Sequence, residues 1–273
     1  MKTIAIYGEL GSFTEQAALN YFGKAKLLPN RYISEVFDAV ESGSADLGIV
    51  PIENTIEGAV TQTYDQLLGL RINIVAETIL RINHCLVANP GVKLSNVKRV
   101  YSIQQALGQC KEYLQKLRVE TVPFYDTAGS VKTIKEQGME DAAAVASARA
   151  AKIYGMQILA KDIETNKHNF TRFLIVSRKG NLSKGDKTSL VFTVRNNPGS
   201  LYDALRSFAD SNIDLTYIQS RPVIGKPWVY NFYVDFKGDK NDKNVKDALR
   251  LLKKSTKSIK ILGSYKKAQT RRV

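Results

Sequence analysis

The chain has 273 residues, 44% hydrophobic and 24% charged, with 18 glycines and 7 prolines. That is enough to build about two cores, and it excludes fibrous and disordered classes. The net charge of +14 raises the question of nucleic acid, but residues 1–180 hold 21 basic and 18 acidic side chains, 181–236 hold 6 and 5, and 237–273 hold 13 and 3.

In chain order, short β-like runs alternate with helical patterns up to residue 180. Thr3 to Tyr7 reads as a strand and Ser12 opens a helix; Ile33 to Glu41 is helical and Asp46 to Ile52 extended. Arg99 to Ser102 precedes a helix over Gln104 to Leu117, Glu120 to Pro123 precedes one over Ser130 to Gln137, and Ala142 to Ala146 precedes one over Ser147 to Tyr154. This alternation predicts an α/β architecture. Two extended stretches, Ile72 to Ala88 and Thr171 to Ser177, are candidate crossings between two α/β lobes, with a cleft between them.

Residues 179–187 are polar and glycine-containing and mark a boundary between a unit of 1–180 and one of 188–273. Beyond it, strand (Thr188 to Arg195), helix (Ser200 to Ser211), strand (Ile213 to Arg221), strand (Trp228 to Phe236), helix (Asn244 to Lys254) and strand (Ser258 to Tyr265) give βαββαβ, the ferredoxin-like plan. The second helix interleaves lysines with an apolar face of Val245, Ala248, Leu249 and Leu252, so the C-terminal charge reads as a solvated helix surface and no nucleic-acid partner is expected.

No apolar run approaches the roughly 20 residues of a membrane span, so no membrane association is expected. The opening strand turns polar at Glu9 before a secretory signal can form, which predicts a cytoplasmic location. Cys85 and Cys110 make neither a disulfide framework nor a zinc site and are expected to be reduced and buried; His84 and His168 have no metal-ligand spacing.

Four segments carry chemistry. Gly8 to Glu15 follows a strand with a tight turn and a capping-box pair, Ser12 and Glu15, offering either an anion site or a plain helix cap. Val50 to Gly58 ends a buried strand with Asn54 and Thr55, which are either donors into a crevice or another cap. Ser102 and the turn Asp126 to Ser130 repeat the theme of small hydroxyls at helix starts, suited to a second carboxylate. In Asn169-Phe170-Thr171-Arg172-Phe173, Arg172 offers a guanidinium fork for a carboxylate and Thr171 a hydroxyl that can donate to a departing oxygen. His84 sits in an apolar run and is expected to satisfy a core hydrogen bond.

Together, Gly11 to Ala18, Pro51 to Gly58, Gln105 to Cys110, Asp126 to Ser130 and Asn169 to Phe173, in that order, closely resemble prephenate dehydratase. The resemblance implies a two-lobed α/β catalytic domain resembling type II periplasmic-binding proteins, followed by an ACT regulatory domain. It implies decarboxylating dehydration of prephenate to phenylpyruvate in phenylalanine biosynthesis, with no cofactor and no metal. It implies Thr171 as donor to the leaving hydroxyl, and Ser12, Asn54, Thr55, Ser102, Gln105, Thr127, Ser130, Arg172 and Phe173 around the substrate. For L-Phe as feedback effector, it implies a site at a subunit interface of a homodimer or homotetramer, using Pro198, Gly199, Ser200, Leu201, Gln219, Ser220, Arg221 and Pro222. Ser200 and Gln219 stand where relatives commonly carry Ala and Glu, and Ile103-Gln104 stands where they carry His-Pro, so no role transfers to a histidine there. Two further readings remain: arogenate dehydratase, the same elimination on the transaminated substrate, and a non-enzymatic module that senses an amino acid.

Overall fold

The computed structural model describes residues 1–181 and 183–268. Leu182, in the expected linker, and residues 269–273, at the end of the expected second unit, lie outside the described residues. The chain runs β1 (Thr3–Tyr7), α1 (Phe13–Phe22), β2 (Lys26–Asn30), α2 (Ile33–Ser42), β3 (Leu47–Asn54), β4 (Gly58–Ala59), α3 (Thr61–Gly69) and β5 (Asn73–Arg81). It continues β6 (Cys85–Ala88), β7 (Arg99–Ser102), α4 (Gln104–Gln109), α5 (Lys111–Leu117), β8 (Glu120–Pro123), α6 (Thr127–Glu136), β9 (Ala142–Ala146), α7 (Ala148–Tyr154), β10 (Gln157–Ala160) and β11 (Phe170–Ser177). Last come β12 (Lys187–Val194), α8 (Ser200–Ala209), β13 (Leu215–Pro222), β14 (Tyr230–Lys237), α9 (Lys243–Ser255) and β15 (Thr256–Tyr265).

Three sheets result. The first has the order β2-β1-β3-β11-β5 and the second β10-β6-β9-β7-β8. In each, three parallel strands are followed by one antiparallel strand that arrives from the other lobe, β11 in the first and β6 in the second. The two lobes therefore share one plan, as expected for the α/β class predicted from sequence. The chain leaves the first sheet at Ile82–His84 and returns over 161–169, so β11 lies wholly inside the first sheet rather than forming the crossing itself. Its alternation is masked because both faces of the strand are covered, which makes Leu174-Ile175-Val176 read as a continuous apolar run.

The third sheet, β13-β14-β12-β15, carries α8 and α9 on one face, the ferredoxin-like arrangement. Its other face packs on the first sheet. Val191, Tyr233, Leu262 and Tyr265 share one buried cluster with Ile52, Tyr64, Leu67, Ile74 and Leu174. The sheets meet so closely at Gly263 that a Cβ there would stand 2.0 Å from the Ile74 carbonyl oxygen, so glycine is required by the approach of β15 to β5.

Where the helix over Gln104 to Leu117 is expected unbroken, it divides at Cys110, because the Gln109 carbonyl takes the Thr165 N–H (2.9 Å) instead of extending the ladder. β2 and β10 escape sequence reading because both are short edge strands, one of them holding Pro29. Cys85 and Cys110 are free, and burial pushes both thiols up from their ordinary range.

Candidate active site

A cavity of about 540 Å³ opens between the first two sheets. The first turns of α1, α3, α4 and α6 reach its wall through Ser12 to Thr14, Val60 to Gln62, Ile103 to Gln105 and Asp126 to Thr127. Of the residues expected to hold substrate, Ser12, Asn54, Gln105, Thr127, Thr171 and Phe173 line it. Tyr7 and Tyr125 line it as well, though no signal in the sequence sets them apart, and so do His84, expected in the core, and Gln109 and Asp126, which fall within quoted motifs without being expected at the substrate.

Glycines and caps shape this wall. Ser12 caps α1 by accepting the Glu15 N–H, while the Glu15 carboxylate turns back to the Gly11 N–H (2.6 Å) and to Arg149 of α7 (2.9 Å). Gly11 has φ +94°, and a Cβ there would sit 2.8 Å from the Ala150 Cα, so the two lobes touch at this point only because the side chain is absent. Asp126 caps α6 through the Gly129 N–H (2.7 Å), and burial pushes its carboxyl up.

Thr171 stands opposite Asn54 across the β3–β11 ladder. The Asn54 Oδ1 accepts the N–H groups of Ile56 (2.9 Å) and Glu57 (3.0 Å), which fixes the amide with Nδ2 toward Thr171. That Nδ2 donates to Thr171 Oγ1 (3.0 Å) and to Asn169 Oδ1 (2.7 Å). The Thr171 oxygen is therefore an acceptor toward the protein, and among the described residues no protein acceptor takes its hydrogen. The chain of bonds continues: Asn169 Nδ2 donates to Gln109 Oε1 (2.8 Å), which also faces His84 Nε2 (2.8 Å). An amide oxygen only accepts, so His84 carries its proton on Nε2. Burial lowers the His84 pKa and keeps the ring neutral, against smaller opposing effects of Gln109 and Glu164.

Four expected residues lie elsewhere. Arg172 is the neighbour of Thr171 and Phe173 on a strand, so it points to the opposite face, where it pairs with Glu53, Glu77 and Asp235. Ser102 is fully buried and donates to the Val145 carbonyl (2.7 Å). Ser130 bonds back to the Asp126 carbonyl (2.8 Å), one helical turn earlier. Thr55 is exposed and staples the turn, donating to the His168 carbonyl and accepting the Phe170 N–H. Among the described residues lining the cavity there is consequently no lysine or arginine.

A second cavity, about 660 Å³, is lined by Gly199, Ser200, Leu201, Trp228, Tyr230, Phe232 and neighbours. Pro198, Gln219, Ser220, Arg221 and Pro222 do not line it; the last four belong to β13, and Arg221 pairs with Asp65 of α3 at 2.8 Å.

Two matched α/β lobes closing on a cavity walled by helix starts and uncharged polar side chains beside the carboxyl groups of Glu57 and Asp126, with one hydroxyl hydrogen unclaimed, define an enzyme that acts on a small polar molecule. The chain belongs to the prephenate dehydratase family, whose model matches residues 4–181. Arogenate dehydratase 2 of Petunia hybrida is 40% identical, covering 96% of this chain and 71% of that protein. The bifunctional chorismate mutase/prephenate dehydratase of Aquifex aeolicus is 42% identical, covering 97% and 74%. Among solved structures, prephenate dehydratase from Arthrobacter aurescens in complex with L-Phe has a TM-score of 0.88 and 35% identity, covering 97% of this chain and 89% of that one. A protein described as a novel type of quorum-quenching acylase has a TM-score of 0.90 and 30% identity, covering 99% and 100%.

Proposed function

We propose that the chain converts prephenate to phenylpyruvate in the interlobe cavity, with Thr171 as hydrogen-bond and proton donor to the departing hydroxyl. In this elimination the bond to the ring carboxylate breaks and releases carbon dioxide. The freed electron pair moves through the ring and expels the C4 oxygen, which leaves as water once it gains a proton handed on by the Thr171 hydroxyl, itself reprotonated by solvent in the open cavity. Aromatisation drives the step, so a weak acid suffices if it is well placed. The observation that carries this reading is the Asn54–Thr171 bond, which turns the hydroxyl hydrogen away from the protein.

Ser12, Gln105 and Thr127, with the N–H groups of the helix ends around them, serve the two carboxylates. A helix N-terminus carries about half a positive charge; Glu15 and Asp126 already face the starts of α1 and α6, while those of α3 and α4 have no side-chain cap and keep their N–H groups for an anion. Asn54 acts through Thr171. The acylase likeness is less well supported, because an acyl-transfer nucleophile needs a base and Thr171 faces an amide donor instead.

The test is formation of phenylpyruvate by the purified chain from prephenate, run beside L-arogenate. Faster turnover of arogenate moves the assignment to the reading favoured by the Petunia relative; no turnover of either, alongside tight L-Phe binding, leaves the sensing module.

In the same reading, residues 1–180 form the catalytic domain and 188–273 an ACT domain responding to L-Phe. The L-Phe complex of the Arthrobacter relative supports this, as does the second cavity, where Leu201, Trp228, Tyr230 and Phe232 stand beside Gly199 and Ser200. Gln219 to Pro222 lie outside that cavity within one chain, which favours a site completed by a partner chain in a homodimer or homotetramer. The location is cytoplasmic in this reading; no helix among the described residues is long and apolar enough to cross a membrane.

A further inference from the structure

Behind the catalytic strand, on the face away from the cavity, lies a buried cluster of charges. Arg172 Nε meets Glu53 Oε2 at 3.1 Å, and its Nη1 meets Glu77 Oε2 at 3.2 Å and Asp235 Oδ2 at 2.5 Å. Lys187 Nζ reaches Glu77 Oε2 (2.8 Å) and Asp235 Oδ2 (3.3 Å). Ser189 donates to Asp235 Oδ1 (2.5 Å) and also meets the Tyr265 hydroxyl (2.6 Å). The Tyr217 ring covers the guanidinium at 5.1 Å. Two cations and two carboxylates are thus almost fully buried, and Glu53 closes the rim with about a third of its side chain exposed.

Such a cluster is costly to desolvate and is held only where its geometry is well satisfied. The sheets could have met through apolar side chains alone, as they do elsewhere along the seam. What the charges add is a defined position: three carboxylates around one guanidinium hold it in one arrangement and so restrain the strand that carries it. That residue lies between Thr171 and Phe173, and Glu53 is its ladder partner on β3, one residue from Asn54.

We propose that Arg172 is a positioning residue through which the third sheet sets the place of the Thr171 hydroxyl. The proposal rests on Thr171 being the donor. Asp235, Ser189 and Lys187 come from β14 and β12, and the far ends of those strands, Tyr230, Phe232 and Val194, line the second cavity. An occupant of that cavity that shifts either strand along its length therefore reaches the grip on Arg172 directly. α3 is tied to the same sheet: Lys260 Nζ takes the Leu67, Leu68 and Leu70 carbonyls at its C-terminal end, Tyr233 takes the Tyr64 carbonyl, and Arg221 holds Asp65. Its N-terminal turn stands in the cavity wall.

The test uses the full chain with Asp235→Asn, which touches no part of the cavity. The readouts are prephenate turnover, thermal melting and amide hydrogen exchange at residues 170–173. A folded variant is expected to lose about 10- to 100-fold in kcat, with KM within about twofold, since displacement by a fraction of an ångström to an ångström has effects of this size. Exchange at Thr171 and Phe173 should quicken, and Asp235→Glu should recover part of the rate. Wild-type kcat and exchange in folded Asp235→Asn overturn the proposal. If that variant does not fold, Glu53→Gln removes the rim carboxylate instead; a fall of about 2- to 5-fold in kcat with quickened exchange supports the proposal, and no change in either overturns it. Failure of the underlying reading looks different, because Thr171→Val would then keep its turnover whatever residues 170–173 do in exchange.

Discussion

Replacing Thr171 with valine removes one oxygen and keeps the branched shape that suits a strand. Its stability cost is small because the lost partner orphans nothing: Asn54 Nδ2 still donates to Asn169 Oδ1 (2.7 Å) and has the Phe170 carbonyl at 3.2 Å. One neutral hydrogen bond is worth about 0.5–1.5 kcal/mol, so the melting temperature should fall by a few degrees at most, roughly 2–6 °C. The rate is another matter. A positioned proton donor contributes about 10²- to 10⁴-fold, or about 2.7–5.5 kcal/mol of barrier, so kcat should fall by that factor. KM should change by less than about threefold, because the carboxylates are held by other groups. Thr171→Ser keeps the hydroxyl and loses only a methyl, so it should retain at least about a tenth of the rate. The assay is phenylpyruvate absorbance in alkali after timed reaction with prephenate, on protein shown to be folded. A folded valine variant with more than about a tenth of wild-type kcat refutes the role of the hydroxyl.

Three further outcomes follow from the geometry. Gln105→Ala should raise KM about 3- to 10-fold with kcat within twofold, as loss of one neutral donor to a carboxylate requires; an unchanged KM removes Gln105 from the site. His84 is held neutral, with its folded pKa below the ordinary 6.5, so the unfolded chain binds more protons in that window and stability falls as pH drops below about 6.5. The slope is up to about 1.4 kcal/mol per pH unit, or about 3–6 °C in Tm, and His84→Gln should flatten it; an equal slope in that variant assigns the loss to other groups. Trp228 is the one tryptophan and lines the second cavity, so L-Phe titration should change its fluorescence. In Asp235→Asn the same titration should persist while the effect of L-Phe on kcat drops below about twofold; an undiminished effect means the signal travels by another route.

The alternating α/β elements and the ferredoxin-like order of the last six elements are legible because alternation, glycine turns and amphipathic helices are local properties. The cavity was legible in part. Ser12, Asn54 and Thr127 sit at helix starts or strand ends, where short polar side chains announce themselves. Ser102, Ser130 and Thr55 obey the same rule yet serve their own backbone, and spacing alone does not separate the two uses. His84, Gln109 and Asn169 meet only because both lobe crossings pass the end of α4, a relation of topology that no window of sequence contains. The direction of Arg172 is legible as well. If Thr171 faces the cleft, two-residue periodicity sends its neighbour to the other side.

The placement of Arg172 on the far face has a chemical consequence for the proposed reaction. A guanidinium locked onto the ring carboxylate of prephenate would stabilise the very charge that must be given up as carbon dioxide, binding the ground state better than the transition state. Neutral N–H groups and hydroxyls hold the same anion less firmly and allow its charge to pass toward C4. In the proposed reaction the Thr171 hydrogen, left free by Asn54, would meet it there. The cation the sequence offers at this strand is instead spent on the far face, where two buried carboxylates and the rim Glu53 hold it, and where its task is to keep the strand in place.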